Sequence, residues 1–141
     1  IYKVNTSLLY AGVILHDIGK TIELSGPIVP KYTTQGKLLG HISIINAEVY
    51  KTCQELGING ETATLLQHMI LSHHGQYEFG SPVLPMIKEA ELLNFIDNMD
   101  SRMNAIDKAL SLIEEGEFTP RQFALEDRNF YKPFDRENRN D

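Results

Sequence analysis

His16 and Asp17 stand side by side inside an apolar stretch, with Leu8, Leu9, Val13, Ile14 and Leu15 before them and Ile18 and Ile22 after. Polar groups in such a setting are costly unless they find partners. A metal ion suits a neighbouring imidazole and carboxylate, since both are good ligands. Lys20 follows His16 by four residues and shares its helical face. From there it can hold a phosphate oxygen or a leaving group. The plainer role for such a lysine is a cation facing the C-terminal helix dipole. A lone His-Asp pair fits a surface ion pair as well as a ligand pair, so the other histidines and aspartates must decide.

Three more histidines, His41, His73 and His74, fall at helix faces or ends beside apolar stripes. Asp97 lies next to Ile96 and one turn after Leu93, and Asp100 and Asn104 continue the same polar edge. His68, off its stripe, is expected at the surface. One such histidine is ordinary core; four with two aspartates point to a shared cation. The set mixes imidazole and carboxylate and contains no thiolate, which argues against a closed structural zinc site. An open site for Mn²⁺, Fe, Co²⁺, Ni²⁺ or Mg²⁺ is expected, with Zn²⁺ a further alternative. Two ions about 3.5–4 Å apart and sharing a carboxylate suit phosphoester hydrolysis, through an activated water and neutralised phosphate charge. Asp17 is the natural shared carboxylate.

The elements that must position these groups are helical. Residues 6–20 form a helix with Thr6 or Ser7 as cap and Leu9, Val13, His16 and Lys20 near a 3.6-residue spacing. Residues 21–37, punctuated by Gly26, Pro27, Pro30 and Gly36, predict an irregular excursion with a weak hairpin. A second helix spans 38–56, with Leu38, Ile42, Ile45, Val49, Cys53 and Leu56 as its stripe. A third spans 61–73 and runs into His73-His74-Gly75. A long helix follows from about Pro85 to Glu115, striped by Met86, Ala90, Leu93, Ile96, Met99, Met103, Ile106, Leu110 and Ile113. The expected class is all-α, a bundle of four to six helices with one long irregular loop. Its domain covers residues 1–120, and 121–141 form a partly docked tail that frays after Pro133.

With 141 residues, 42% of them hydrophobic and 23% charged, the chain suits one globular domain. No apolar run approaches the roughly 20 residues that span a bilayer. The single cysteine, Cys53, excludes an internal disulfide, fits a reducing compartment and is expected in the core. A cytoplasmic location is expected. The net charge is −6, and residues 1–119 hold 8 Lys/Arg against 14 Asp/Glu. A nucleic-acid binder usually shows a basic face. A polynucleotide substrate would therefore need bound cations or another domain to attract its phosphates. The first residue is Ile1, which suggests an excerpt of a longer chain.

The order His16-Asp17, His41, His73-His74, Asp97 resembles the HD-domain metal-dependent phosphohydrolases. That resemblance implies an all-helical fold binding one or two divalent metals. His16 and Asp17 match the name-giving pair, His41 the histidine of the next helix, His73 the one closing the following helix, and Asp97 the last aspartate. His74 has no universal counterpart and is assigned to metal or substrate. Gly40-His41-Ile42-Ser43-Ile44, Leu71-Ser72-His73-His74-Gly75, Glu78-Phe79-Gly80-Ser81-Pro82-Val83 and Ile96-Asp97-Asn98-Met99-Asp100-Ser101-Arg102-Met103-Asn104 narrow it. Over about residues 8–105 they resemble the YhaM-type 3′→5′ exoribonucleases. The implied activity is Mn²⁺-favoured hydrolysis of single-stranded RNA, with single-stranded DNA as a second substrate. Asp17 and Lys20 would carry catalysis, with Lys20 and His74 meeting the substrate. An upstream OB-fold would grip the strand, and oligomerisation is compatible. Two alternatives remain: a phosphohydrolase of small or cyclic nucleotides, and a degenerate, non-catalytic nucleotide-binding module. One departure stands out. The family's first histidine ligand lies upstream of the His-Asp pair, and no histidine precedes His16 here.

Overall fold

The computed structural model describes residues 2–26, 28–58 and 60–134. The helices are α1 (Thr6–Leu15), α2 (Lys20–Glu23), α3 (Thr34–Glu55), α4 (Gly60–Ser72) and α5 (Lys88–Leu110). Single 3₁₀ turns occur at Tyr77–Phe79 and Phe123–Leu125. Among the described residues the only sheet is a hairpin of two-residue strands, β1 (Leu24–Ser25) antiparallel to β2 (Lys31–Tyr32). The all-α class is as expected, and the hairpin falls inside the irregular excursion. The chain forms two compact units, the first ending at Asp97 and the second beginning at Asn98, within α5. No helix among the described residues is long and apolar enough to cross a membrane.

The first unit is built on two apolar clusters. Ile45, Val49 and Cys53 of α3 meet Ala63 and Ile70 of α4 in one. Leu8 of α1, Met69 of α4, and Ala90 and Leu93 of α5 form the other. Cys53 is buried, as its stripe predicts.

The helix expected over 6–20 stops at Leu15, and its cap is Asn5, whose Oδ1 accepts from Leu8 N–H at 3.1 Å. Residues 16–19 instead turn tightly: Ile18 N–H donates to Leu15 O and Lys20 N–H to Asp17 O, both three residues back. Such i→i+3 bonds wind the chain more tightly than an α-helix. Lys20 therefore loses the expected i+4 alignment with His16. The turn also passes close to α3. A Cβ on Gly19 would lie 2.4 Å from the His41 carbonyl oxygen, so only glycine fits.

Helix α3 begins four residues earlier than expected, where Thr33 Oγ1 accepts from Gly36 N–H at 2.9 Å. It is broken at Gly40, with φ 71° and ψ 153°. The break takes the first turn out of register with the rest. Leu38, expected in the stripe, is 77% exposed, whereas Ile42, Ile45, Val49 and Cys53 are buried. Leu56 lies past the helix as its C-cap and is also exposed.

Helix α5 starts at Lys88 rather than Pro85 and ends at Leu110 rather than near Glu115. Of its expected stripe within the first unit, Ala90 and Leu93 are buried, whereas Met86 is exposed. Met86 N–H donates to His68 Nε2 at 2.9 Å, holding the turn before the helix. His68 is thus half-buried rather than a free surface residue, and burial lowers its pKa, favouring the neutral ring that this bond needs. In the second unit Met99 and Met103 are exposed. Asp100, on the expected polar edge, accepts from Asn104 Nδ2 at 3.2 Å. Beyond α5 the backbone pairs Phe118 with Tyr131 and Gln122 with Arg128. Arg102 grips Glu126 with both guanidinium nitrogens, at 2.7 and 2.8 Å. Residues 135–141, part of the expected fraying, lie outside the described residues.

Candidate metal centre

The turn after α1, the start of unbroken α3, the end of α4 and the middle of α5 each deliver part of one constellation. Asp17 lies at its middle. Its Oδ1 is 3.5 Å from His41 Nε2 and 3.8 Å from His73 Nε2. Its Oδ2 is 3.6 Å from His16 Nε2 and accepts from Lys20 Nζ at 2.6 Å. His16 Nε2 is also 3.6 Å from Asp97 Oδ1. The rings of His73 and His74 meet edge-on with centroids 4.2 Å apart, and His41 stands 5.3 Å from His74. Two groups of donors result, each with its ligand atoms within 4.8 Å of one another: His41, His73 and His74, and His16, Asp17 and Asp97. All the sequence-derived ligands, His16, Asp17, His41, His73 and Asp97, are brought together, with Lys20 and His74 beside them.

The tautomers are set by the surrounding carbonyls. His16 Nδ1 lies 2.9 Å from Val13 O, His73 Nδ1 2.7 Å from Ile70 O, and His74 Nδ1 2.6 Å from Phe79 O. A carbonyl only accepts, so each Nδ1 carries the proton and each Nε2 presents a lone pair. His41 Nδ1 lies 3.2 Å from the Glu23 carboxylate, with the same consequence. Glu23 was not singled out from the sequence. Nothing in its irregular surroundings marks it.

Two of these lone pairs, on His41 and His73, have no partner among the described residues. Among the described residues, four buried side-chain polar atoms lack a hydrogen-bond partner, and three of them are Asp17 Oδ1, His41 Nε2 and His73 Nε2. Buried acceptors facing one another are unfavourable unless a cation sits among them. The residues therefore fit a divalent metal. Burial alone would raise the Asp17 pKa, but Lys20, with His16 and His73, outweighs it and holds the carboxyl below its ordinary value. Burial pushes His73 down to about 4. Both groups are thus in their metal-binding forms at neutral pH. A larger cavity of about 710 Å³, lined by residues such as Tyr2, Met86 and Phe95, shares no lining residue with this cluster. The donor chemistry, not cavity size, locates the site.

The family model described as "HD domain" matches residues 1–102. The chain belongs to the HD-domain family. It is 61% identical over 131 residues to the 3′-5′ exoribonuclease YhaM of Geobacillus sp. (strain WCH70), covering 93% of this chain and 40% of that protein. It is 58% identical to the protein of the same name from Bacillus subtilis (strain 168), with 93% and 42% covered. The HD chain thus spans about two fifths of the length of these relatives. No solved structure matches it.

The buried His73 gives the HD unit an acid-sensitive stability. In the unfolded chain this ring titrates near 6.5, and in the folded protein near 4. Between those values the unfolded state binds more protons, so stability present above pH 6.5 is lost as the pH falls towards 4. The difference corresponds to roughly 3 kcal/mol. Urea unfolding of the metal-free protein should show a flat midpoint from pH 8 to 7 and a falling one from 6.5 to 4. A midpoint as high at pH 4.5 as at pH 7 would contradict it.

Proposed function

We propose that this HD domain is the phosphoester-hydrolysing part of an exonuclease that trims RNA from its 3′ end, with single-stranded DNA as a second substrate. The observation that carries the reading is Asp17, whose two oxygens face different histidines and whose buried Oδ1 lacks a partner, as do the His41 and His73 Nε2 atoms near it. In this reading His16, Asp17, His41, His73 and Asp97 would hold one or two divalent ions, with Mn²⁺ proposed. When bound, such ions supply a nucleophilic water at neutral pH and positive charge for the phosphate.

The chain's own residues set the geometry. The Nδ1 bonds to Val13, Ile70 and Phe79 fix the His16, His73 and His74 rings, so little reorganisation is needed on binding. Lys20 steadies Asp17 and, half-exposed, stands at the rim where a phosphate oxygen arrives. His74 faces metal or substrate from the other side. Residues 1–120 are taken as the catalytic domain and 121–141 as its tail. An OB-fold elsewhere in the full-length protein would offset the −6 charge of this chain by gripping the strand. The lone cysteine supports a cytoplasmic location. The orphaned donors argue against a degenerate, non-catalytic module.

The full-length protein, incubated with Mn²⁺ and a 5′-labelled single-stranded RNA, should give a ladder shortening from the 3′ end and release nucleoside monophosphates. A chelator should stop it. Hydrolysis of small or cyclic nucleotides with no attack on RNA would overturn the reading in favour of a small-nucleotide phosphohydrolase.

A further inference from the structure

Beside the histidine cluster lies a cleft of about 310 Å³. His41 and His74 line it, together with Leu39, Gly40, Phe79 and Pro82. It is at the small end of ligand pockets, which run from roughly 300 to 1,000 Å³. That is room for one nucleoside and not for a run of stacked bases. Its lining mixes two chemistries: polar groups, with the His41 and His74 imidazoles, Glu23 and Ser43, and apolar and aromatic surface from Leu39, Ile42, Phe79 and Pro82.

Phe79 is the unusual member. It is 64% exposed beside a charged and polar centre, where an aromatic ring gains nothing from the core. Its place is nonetheless fixed. The Phe79 carbonyl accepts from His74 Nδ1 at 2.6 Å, so the turn carrying the ring is tied to a member of the metal centre. Gly80, at φ 92°, closes that turn, with its N–H donating to Tyr77 O at 3.0 Å. Ser81 N–H then returns to Gln76 O at 3.2 Å. An exposed ring on a turn bonded to His74, lining the same cleft as His41 and His74, has the arrangement of a stacking platform. Every base has a π-face, so such a platform is tolerant of sequence. Leu39, 53% exposed, supplies apolar surface to the same cleft.

We propose that this cleft is the subsite for the terminal nucleoside, with its base stacked on Phe79 and its phosphate directed towards His74 and His41. The proposal rests on the phosphoester-hydrolase reading above and deepens it. It gives the site a preference for phosphates that carry a base, and makes Phe79 a binding residue that holds the end of the strand in register.

The test uses the Mn²⁺-loaded full-length protein and two probes that differ only by the base: uridine 5′-monophosphate and ribose 5-phosphate. Calorimetry should find the nucleotide bound about tenfold or more tightly than the sugar phosphate, the range expected of one stacked base. Phe79→Ala should erase that preference, and Phe79→Trp should keep it. Circular dichroism on each variant confirms the fold. A wild-type protein that binds both probes equally overturns the subsite and leaves the hydrolase reading standing. So does a Phe79→Ala variant that keeps the full preference. Failure of the wild type to bind either probe overturns the subsite, and the RNA ladder described above decides the hydrolase reading separately.

Discussion

Asp17→Asn is expected to lower Mn²⁺-dependent RNA hydrolysis about a thousandfold, the kinetic equivalent of the several kcal/mol that metal-ion charge contributes. Asparagine keeps the size of the side chain and one acceptor oxygen. It removes the charge that lies 3.5–3.8 Å from three histidine Nε2 atoms. Those rings remain fixed by the Val13 and Ile70 carbonyls and the Glu23 carboxylate, so the variant should fold. Its stability at neutral pH should change little, because the Asp17–Lys20 pair is part-exposed and such pairs contribute little. Elemental analysis should find fewer metal ions per chain than in the wild type. A variant with wild-type rate and wild-type metal content would remove Asp17 from the centre altogether.

The candidate ligand set was legible because its members break the patterns around them. His16 and Asp17 interrupt an apolar run, His41 and His73 sit at the margins of stripes, and Asp97 flanks Leu93 on α5. Composition and order sufficed to collect them. What the sequence concealed was how the backbone brings them together. The spacing of Leu9, Val13, His16 and Lys20 suggests one continuous helix, yet the chain turns after Leu15, and Lys20 meets Asp17 instead of extending the His16 face. That turn depends on a tertiary contact, the approach of Gly19 to the His41 carbonyl, which periodicity does not encode. The break at Gly40 was hidden for the same reason, since a lone glycine inside a helical pattern is usually tolerated. The start of α5 followed a loop bond, not propensity: His68 holds Met86 ahead of the helix. Glu23 was out of reach, because its partner lies eighteen residues on and no period connects them.

Glu23→Gln is expected to weaken Mn²⁺ binding ten- to a hundredfold, the usual effect of losing a carboxylate that orients a ligating histidine. The cause begins at Gly40. In an unbroken helix the His41 N–H would bond four residues back; the positive φ at Gly40 frees it. Glu23 Oε1 takes that N–H at 3.1 Å, and Oε2 lies 3.2 Å from Nδ1 of the same residue's ring. One carboxylate thus fixes both the backbone and the imidazole of His41 and aims Nε2 at Asp17. Glu23 is only 9% exposed, and both of its oxygens are engaged. Glutamine has the same length but one acceptor. Its amide nitrogen can accept from neither the N–H nor the protonated Nδ1, so one of the two contacts is lost, together with the negative charge that makes His41 a better donor. The expected loss of stability is about 1–3 kcal/mol. Mn²⁺ titration against a fluorescent chelator measures the affinity directly, without relying on turnover. The electron paramagnetic resonance spectrum of bound Mn²⁺ should broaden as the His41 ring loses its fixed orientation. A folded Glu23→Gln protein with wild-type affinity and an unchanged spectrum would show that His41 is oriented by α3 alone.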